Sequence, residues 1–132
     1  MRVTPLMTVT ALVETGTGLL LLVWPALVFV LLFGWRQAAP ETLLIGRVGG
    51  AGVISIGVTS WLARHDTHAP AQLGVLAGLL TYNVLAALLL AFAGAGLLKM
   101  AGVLLWPAVV YHAALSAWCV ACLPRRRAAE RL

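Results

Sequence analysis

Four long apolar runs, separated by short polar connections, constrain this chain more than any other feature of its sequence. Each run is at least as long as the roughly 20 residues that an α-helix needs to cross the hydrocarbon core of a bilayer. The period-two alternation of a membrane β-barrel is absent, and backbone groups in lipid must be hydrogen-bonded internally, so the runs are predicted to be helices. The predicted spans cover residues 7–33, 42–63, 71–93 and 98–122.

The composition excludes a soluble domain. Charged side chains make up 10% of the 132 residues and hydrophobic ones 62%, whereas soluble domains carry roughly 25% charged residues. Because the connections between the runs are short, neighbouring helices are expected to be antiparallel. The predicted fold is therefore all-α: a single domain, residues 1–132, forming a four-transmembrane-helix antiparallel bundle with the N and C termini on the same side.

Basic residues outside the spans predict the orientation of this bundle. The opposite side of the bundle carries Arg36 and Lys99, whereas the terminal side carries six basic residues. Both termini, including the basic tail 123–132, are therefore predicted to be cytoplasmic, in a bacterial inner (cytoplasmic) membrane. The six residues on the terminal side are Arg2, Arg64, Arg125, Arg126, Arg127 and Arg131.

Two alternatives bear on the charged residues. A cleaved signal peptide is disfavoured because the first apolar run is too long and contains Glu14. Nucleic-acid binding is disfavoured because the net charge of +5 is not arranged as a basic stripe with interleaved aromatic residues. The expected partner of the basic tail is instead the lipid bilayer, through its anionic head groups.

Small residues predict which helices pack closely, because apolar burial does not drive association in lipid. Gly46 and Gly50 form a small-xxx-small pair in span two, and Gly74 and Gly78 form another in span three. Spans two and three are therefore predicted to pack on each other. A homo-oligomer that uses the same faces is the alternative.

Proline occurs inside the first and last spans, as Pro25 and Pro107. Each proline lacks a backbone N–H and leaves the carbonyl four residues earlier without its helical partner. We therefore expect a kink in each span, with free carbonyls at Leu21 and Val103.

Ionisable side chains inside the spans are the first candidates for function, because each costs at least about 2.5 kcal/mol at the bilayer centre. They are Glu14, Arg47 and His112. At 1.5 Å per residue, Glu14 and Arg47 lie about 9 Å from the centre in opposite directions. A direct ion pair between them would require helix tilt, a kink at Pro25 or a shifted span boundary.

A partly polar cleft is predicted near the middle of the membrane. Tyr82 and Asn83 lie at the centre of span three, and His112 lies at a similar depth in span four, one turn before Ser116. With Glu14, these side chains are expected to line a cleft that opens toward the cytoplasm and holds a lipid or a quinone. The alternative interpretation is that Asn83 and His112 only hydrogen-bond each other or a backbone carbonyl and so fasten the bundle.

A metal site is a further hypothesis, carried by Cys119, Cys122, His65 and His68. Two thiolates and two imidazoles form a ligand set typical of zinc, and all four lie at the same predicted end of the bundle. A C-x-x-C pair also serves thiol–disulfide exchange, but no second cysteine pair is present to relay electrons. Core packing by the cysteines and a solvated histidine loop are the simpler interpretation.

Several of these short motifs together resemble a group of uncharacterised small bacterial four-helix integral membrane proteins, loosely DoxX-like. The motifs are Glu14 and Pro25 in span one, residues 46–50 opening span two, Tyr82-Asn83 in span three, and Trp106-Pro107 with His112 in span four. The resemblance implies the four-helix architecture and very little chemistry. It also implies that Glu14, Arg47, Asn83 and His112 are the positions to test first.

The function predicted from the sequence is that of a small integral membrane protein which binds a small hydrophobic ligand or acts as an accessory subunit. Its expected partners are the bilayer and either a larger membrane complex or further copies of the chain. An oligomeric transporter or channel that uses Glu14 and Arg47 is the alternative. An enzyme is less expected, because the sequence contains no recognisable nucleophile with its base and no full ligand set.

Overall fold

The computed structural model describes residues 3–66, 69–96 and 102–123. These residues form five helices and no strand: α1 (Val3–Val23), α2 (Pro25–Phe33), α3 (Pro40–Ala63), α4 (Ala69–Ala95) and α5 (Leu105–Cys122). All but α2 are long and apolar enough to cross a membrane. The predicted all-α fold with four membrane-spanning helices is confirmed.

The predicted first span divides into two helices at Trp24 rather than kinking. Pro25 has no N–H to offer the carbonyl of Leu21, and α1 ends at Val23. Pro25 instead begins α2, which is a favoured place for proline in a helix. The short helix ends at Phe33, and Gly34 follows it with a φ of 73°. The N–H of Gly34 then donates to the carbonyl of Val30, and that of Trp35 to the carbonyl of Phe29.

The last helix is not interrupted at its proline, so the kink predicted there is wrong. Helix α5 begins at Leu105, and Pro107 therefore lies in its first turn. Backbone N–H groups in a first turn have no helical partner, so the proline removes no hydrogen bond there. The predicted beginning of this span, at residue 98, lies outside the described residues.

The long helices pack as two antiparallel pairs, α1 with α3 and α4 with α5. In the first pair, a Cβ atom built on Gly18 or on Gly50 would lie 2.7 Å from the other glycine's carbonyl oxygen. Glycine is required at such a close approach of two backbones. The predicted role of Gly50 in close packing is confirmed, but its predicted partner is wrong, because Gly50 faces α1 and not α4.

The glycines of α4 do not mediate packing between α3 and α4. A Cβ atom built on Gly74 or Gly78 would meet nothing within 4 Å, and these two helices make far fewer contacts than either pair does internally. The weakly packed face between them leaves a cavity of about 290 Å³, which Gly78 helps to line.

A cluster of buried side chains joins the two pairs at one end of the bundle. It contains the beginning of α1, the first half of α4 and the end of α5, contributing Leu6, Met7, Leu76, Leu79, Leu115 and Cys119. At the opposite end, the short α2 lies against α5, where the N–H of Leu104 donates to the carbonyl of Leu31 at 2.8 Å. The end that contains the buried cluster is called the solid end below, and the other is called the α2 end. The candidate site lies between them.

Candidate ligand site

Glu14 is a buried carboxyl group at the middle of α1. Only 2% of the residue is exposed, and Thr10 and Gly18 lie one turn away on the same buried face. The hydroxyl of Tyr82 on α4 donates to Glu14 Oε2 at 3.0 Å. Within the described residues Oε1 has no hydrogen-bond partner. One oxygen of this carboxyl is therefore satisfied, and the other is available.

Asn83 and His112 form a hydrogen-bonded tie between α4 and α5. The side-chain amide of Asn83 donates from Nδ2 to the carbonyl of Leu79 at 2.8 Å. Its Oδ1 lies 2.8 Å from Nδ1 of His112. The hydrogen bond that the sequence suggested as an alternative is thus present, and it fixes the imidazole ring in place. The hydroxyl of Ser116 donates to the carbonyl of His112 at 2.9 Å, within its own helix.

Two tyrosine rings enclose the imidazole of His112 edge to face. The centroid of Tyr82 lies 5.5 Å from that of His112, with the planes at 87°, and that of Tyr111 lies 5.2 Å away, with the planes at 70°. Such edge-to-face pairs are favourable because the positive ring edge meets a negative face. The buried hydroxyl of Tyr111 has no hydrogen-bond partner among the described residues.

Tyr111 is a site residue that the sequence reasoning missed. A signal was present, because tyrosine in membrane helices is concentrated at the two interfaces. Tyr111 instead lies well inside α5, next to the one histidine that the sequence places within a span. A tyrosine at that depth indicates a polar neighbour or a ligand.

A cavity of about 310 Å³ lies against these groups, between α1, α2, α4 and α5. Glu14, Thr17, Tyr82, Tyr111 and His112 form the polar part of its lining, and the remaining lining is apolar. The volume falls at the lower end of the roughly 300–1,000 Å³ typical of small-molecule sites. The apolar walls come from Val13, Leu20, Val28, Leu31, Leu32, Leu90, Leu104 and Pro107.

The cavity extends toward α2 and not toward the end where α1 begins and α5 ends. Val28, Leu31 and Leu32 of α2 form part of its wall, whereas the opposite end is filled by the cluster around Leu6 and Met7. A cavity is therefore present where the cleft was predicted, and it extends away from the side that carries the beginning of α1 and the end of α5. Its predicted opening toward the cytoplasm stays a prediction, because it depends on the orientation of the chain. The position of the cavity was not predictable from the sequence, because part of its wall is formed by α2, and α2 is a separate helix only because of the break at Trp24. Ser116 and Asn83, which were also predicted to line the cleft, are not among the cavity-lining residues.

Arg47 lies on the exposed face of α3. Its neighbour Gly46 faces α2, where a Cβ atom would lie 2.6 Å from the ring of Phe29, so the helix turns Arg47 away from the site. No ion pair joins Arg47 to Glu14 in the described part of the chain, and the carboxyl is held by Tyr82 instead.

The candidate zinc ligands do not converge in the described ranges. Cys119 is buried in the apolar cluster, Cys122 is half-buried, and no disulfide bond joins them. His65 is exposed beyond the end of α3, and His68 lies outside the described residues. Across residues 3–66, 69–96 and 102–123, no group of three or more histidine, cysteine, aspartate or glutamate side chains is placed to hold a metal ion.

Comparisons with protein-family models, with curated proteins and with solved structures find no match for this chain. The resemblance to DoxX-like membrane proteins therefore stays a prediction from short motifs. The chemistry of the site rests on its own geometry: a carboxyl, an imidazole and two phenols beside an apolar cavity inside the bundle.

Proposed function

We propose that this chain is a small integral membrane protein that binds a small hydrophobic ligand, a lipid or a quinone, in the cavity beside Glu14 and His112. The observation that carries the proposal is the unpartnered Oε1 of Glu14, buried next to a cavity that is otherwise mostly apolar. A buried polar atom without a partner costs free energy. A ligand with an apolar body and one polar group offsets that cost and fills the space.

The same architecture suits an accessory subunit of a larger membrane complex or a homo-oligomer. Large apolar side chains cover the outside of the bundle, among them Leu44, Ile45, Leu62, Leu88 and Leu89. Lipid tails or helices of another subunit are chemically suited to this surface. Gentle solubilisation followed by mass measurement of the intact particle distinguishes a single chain from an assembly, and extraction of the same particle identifies what it retains.

The decisive experiment fills the cavity without touching its polar groups. Ala108 lines the cavity, whereas Ala114 is exposed elsewhere on α5, so Ala108→Phe and Ala114→Phe add the same volume at a test site and at a control site. Both variants and the wild-type protein are purified in mild detergent, and the retained lipids and quinones are quantified by mass spectrometry.

We expect the wild-type protein and Ala114→Phe to retain the same molecule, and Ala108→Phe to lose it at least about tenfold, because the added ring occupies the space of the ligand. Equal retention in all three preparations, or retention by none of them, contradicts the proposal. His112→Ala is expected to weaken retention as well, through loss of a polar contact in the cavity.

A second candidate, an oligomeric transporter or channel, is favoured by the exposure of Arg47 within a span. A guanidinium group facing lipid costs at least about 2.5 kcal/mol at the bilayer centre, and contact with a further copy of the chain offsets this cost. Transport predicts ion or substrate flux in proteoliposomes that Glu14→Gln abolishes. Absence of flux in vesicles that contain folded protein contradicts it.

A further inference from the structure

Polar atoms of Glu14, Tyr111 and His112 lie at the cavity without a hydrogen-bond partner in the described residues, and their hydrogen-bonding polarity defines what the ligand must offer. The hydroxyl of Thr17 also lines the cavity and, like a phenol, donates or accepts. Glu14 Oε1 and the hydroxyl of Tyr111 are buried without partners in the described residues. The third atom is Nε2 of His112, which has no hydrogen-bond partner in the same set, on a ring that is 9% exposed and lines the cavity. A phenol donates or accepts, so Tyr111 alone does not select between ligands.

The orientation of the Asn83 amide is fixed by its partner on α4. The carbonyl of Leu79, 2.8 Å away, only accepts hydrogen bonds, so the group facing it must be the NH₂ of Asn83. The amide oxygen then faces Nδ1 of His112 at 2.8 Å. Because an amide oxygen only accepts, Nδ1 must carry the hydrogen of this bond.

This hydrogen bond sets the tautomer of His112, since the partner of one ring nitrogen decides the state of the other. With the hydrogen on Nδ1, the Nε2 atom of a neutral imidazole is an acceptor. Two consecutive hydrogen bonds position the ring: the carbonyl of Leu79 holds the amide of Asn83, and the amide oxygen of Asn83 holds Nδ1 of His112. Rotation of the ring is further opposed by the edge-to-face contacts with Tyr82 and Tyr111.

We propose that the cavity selects a compact apolar ring that carries a hydroxyl group, as a phenol or a hydroquinone does, and that Nε2 of His112 accepts the hydrogen of this hydroxyl. The inference rests on the proposed function and specifies that the ligand donates a hydrogen bond to the protein. Glu14 Oε1 does not add to this selection, because a carboxylate oxygen accepts a hydrogen bond whereas a protonated carboxyl group donates one. A ring that carries only carbonyl groups leaves Nε2 unpaired inside the bundle.

The test compares duroquinol with duroquinone, which share one carbon skeleton but present hydroxyl groups in one case and carbonyl groups in the other. Binding is measured anaerobically by titration calorimetry on the full chain in detergent micelles. We expect duroquinol to bind about tenfold more tightly, as one hydrogen bond to an otherwise unpaired buried acceptor allows. In His112→Phe, which keeps the ring but removes both nitrogens, the two affinities should become equal.

A second measurement examines the tautomer without any ligand. The imidazole nitrogen resonances of nitrogen-labelled protein distinguish Nδ1–H, Nε2–H and the charged ring, and His112→Phe identifies which signals belong to this residue. The proposal requires Nδ1–H in the wild-type protein and a mixture of tautomers in Asn83→Leu, which removes the acceptor.

The outcomes separate the two proposals. If duroquinone binds as tightly as duroquinol, and Ala108→Phe abolishes both, the cavity is a binding site but the selection for a hydroxyl group is overturned. If neither compound binds to folded wild-type protein, the selection is overturned as well. The retention of lipids or quinones by Ala108→Phe and Ala114→Phe then decides separately whether the cavity binds a ligand. An Nε2–H or charged ring in the resonance spectrum overturns the selection whatever the affinities are.

Discussion

At the scale of single residues, the site combines satisfied and unsatisfied polar groups on the same few side chains. Tyr82 donates its hydroxyl to one oxygen of Glu14, whereas the hydroxyl of Tyr111, equally enclosed, has no partner in the described residues. The two tyrosines contact the same histidine ring from two sides. They therefore form a natural pair for measuring what one hydrogen bond contributes inside this bundle.

Tyr82→Phe is expected to lower the free energy of unfolding by roughly 1–2 kcal/mol, because it removes a hydroxyl that satisfies a buried carboxyl oxygen. Tyr111→Phe removes an unpartnered hydroxyl and should leave stability unchanged or slightly raised. Unfolding is followed by circular dichroism as sodium dodecyl sulfate is titrated into mixed micelles. An equal loss of stability in the two variants would show that the Tyr82–Glu14 hydrogen bond carries no net stabilisation.

At the scale of helices, the backbones of α1 and α3 approach each other too closely to admit a side chain at Gly50. A methyl group at Gly50 would lie 2.7 Å from the carbonyl oxygen of Gly18 and 2.9 Å from Cβ of Leu21. The adjacent Gly49 is exposed, and a methyl group there meets nothing within 4 Å. Two neighbouring glycines of one helix therefore have opposite structural roles.

Gly50→Ala is expected to destabilise the protein by about 1–3 kcal/mol, because the two backbones must separate to admit the methyl group. Gly49→Ala should be neutral or stabilising by up to about 1 kcal/mol, since alanine has the higher helix propensity. The same dodecyl sulfate titration measures both. If Gly49→Ala is as damaging as Gly50→Ala, the contact between α1 and α3 is not the packing surface described above.

The sequence predicted the helices better than it predicted their partners. Long apolar runs and short connections determine that four helices cross the membrane, because lipid leaves no other way to satisfy the backbone. Which helix a glycine meets depends on the rotation and tilt of whole helices, and Gly50 consequently faces α1 rather than α4. The sequence predicted a kink at Pro25 instead of a break at Trp24. Proline interrupts a helix from within but also favours the first position of a new one, and the sequence pattern does not distinguish the two.

The sequence predicted most of the residues of the candidate site, but few of the contacts between them. Glu14, Tyr82, Asn83 and His112 do lie in contact, through two side-chain hydrogen bonds and one ring contact. Polar groups inside a span usually face the bundle interior and pair with one another there. Arg47, the candidate ion-pair partner of Glu14, lies outside, because Gly46 and Gly50 form the inward face of α3 and Arg47 lies on its exposed face. Tyr111 was missed, although it stands beside His112 in the sequence. Charge alone did not identify the inward face of α3.

At the scale of the whole molecule, two helix pairs are joined at one end by a cluster of buried side chains and enclose a cavity nearer the other end. The solid end contains the beginning of α1 and the end of α5, whereas α2 forms part of the cavity wall. If the terminal side is cytoplasmic, as the basic residues predict, the α2 end of the cavity lies toward the outer surface of the membrane. The orientation of the chain therefore determines which leaflet would supply the proposed ligand.

Reporter fusions in a bacterial host test this orientation. Green fluorescent protein fused after residue 132 is expected to fluoresce, and alkaline phosphatase fused at the same place should be inactive, because the bias of six basic residues to two holds the terminal side in the cytoplasm. Replacing Arg125, Arg126 and Arg127 with glutamine reduces the six to three, so a fraction of the chains should invert and gain phosphatase activity. Strong phosphatase activity in the unmodified chain would place the α2 end of the cavity toward the cytoplasm and reverse the leaflet from which we expect the ligand to enter.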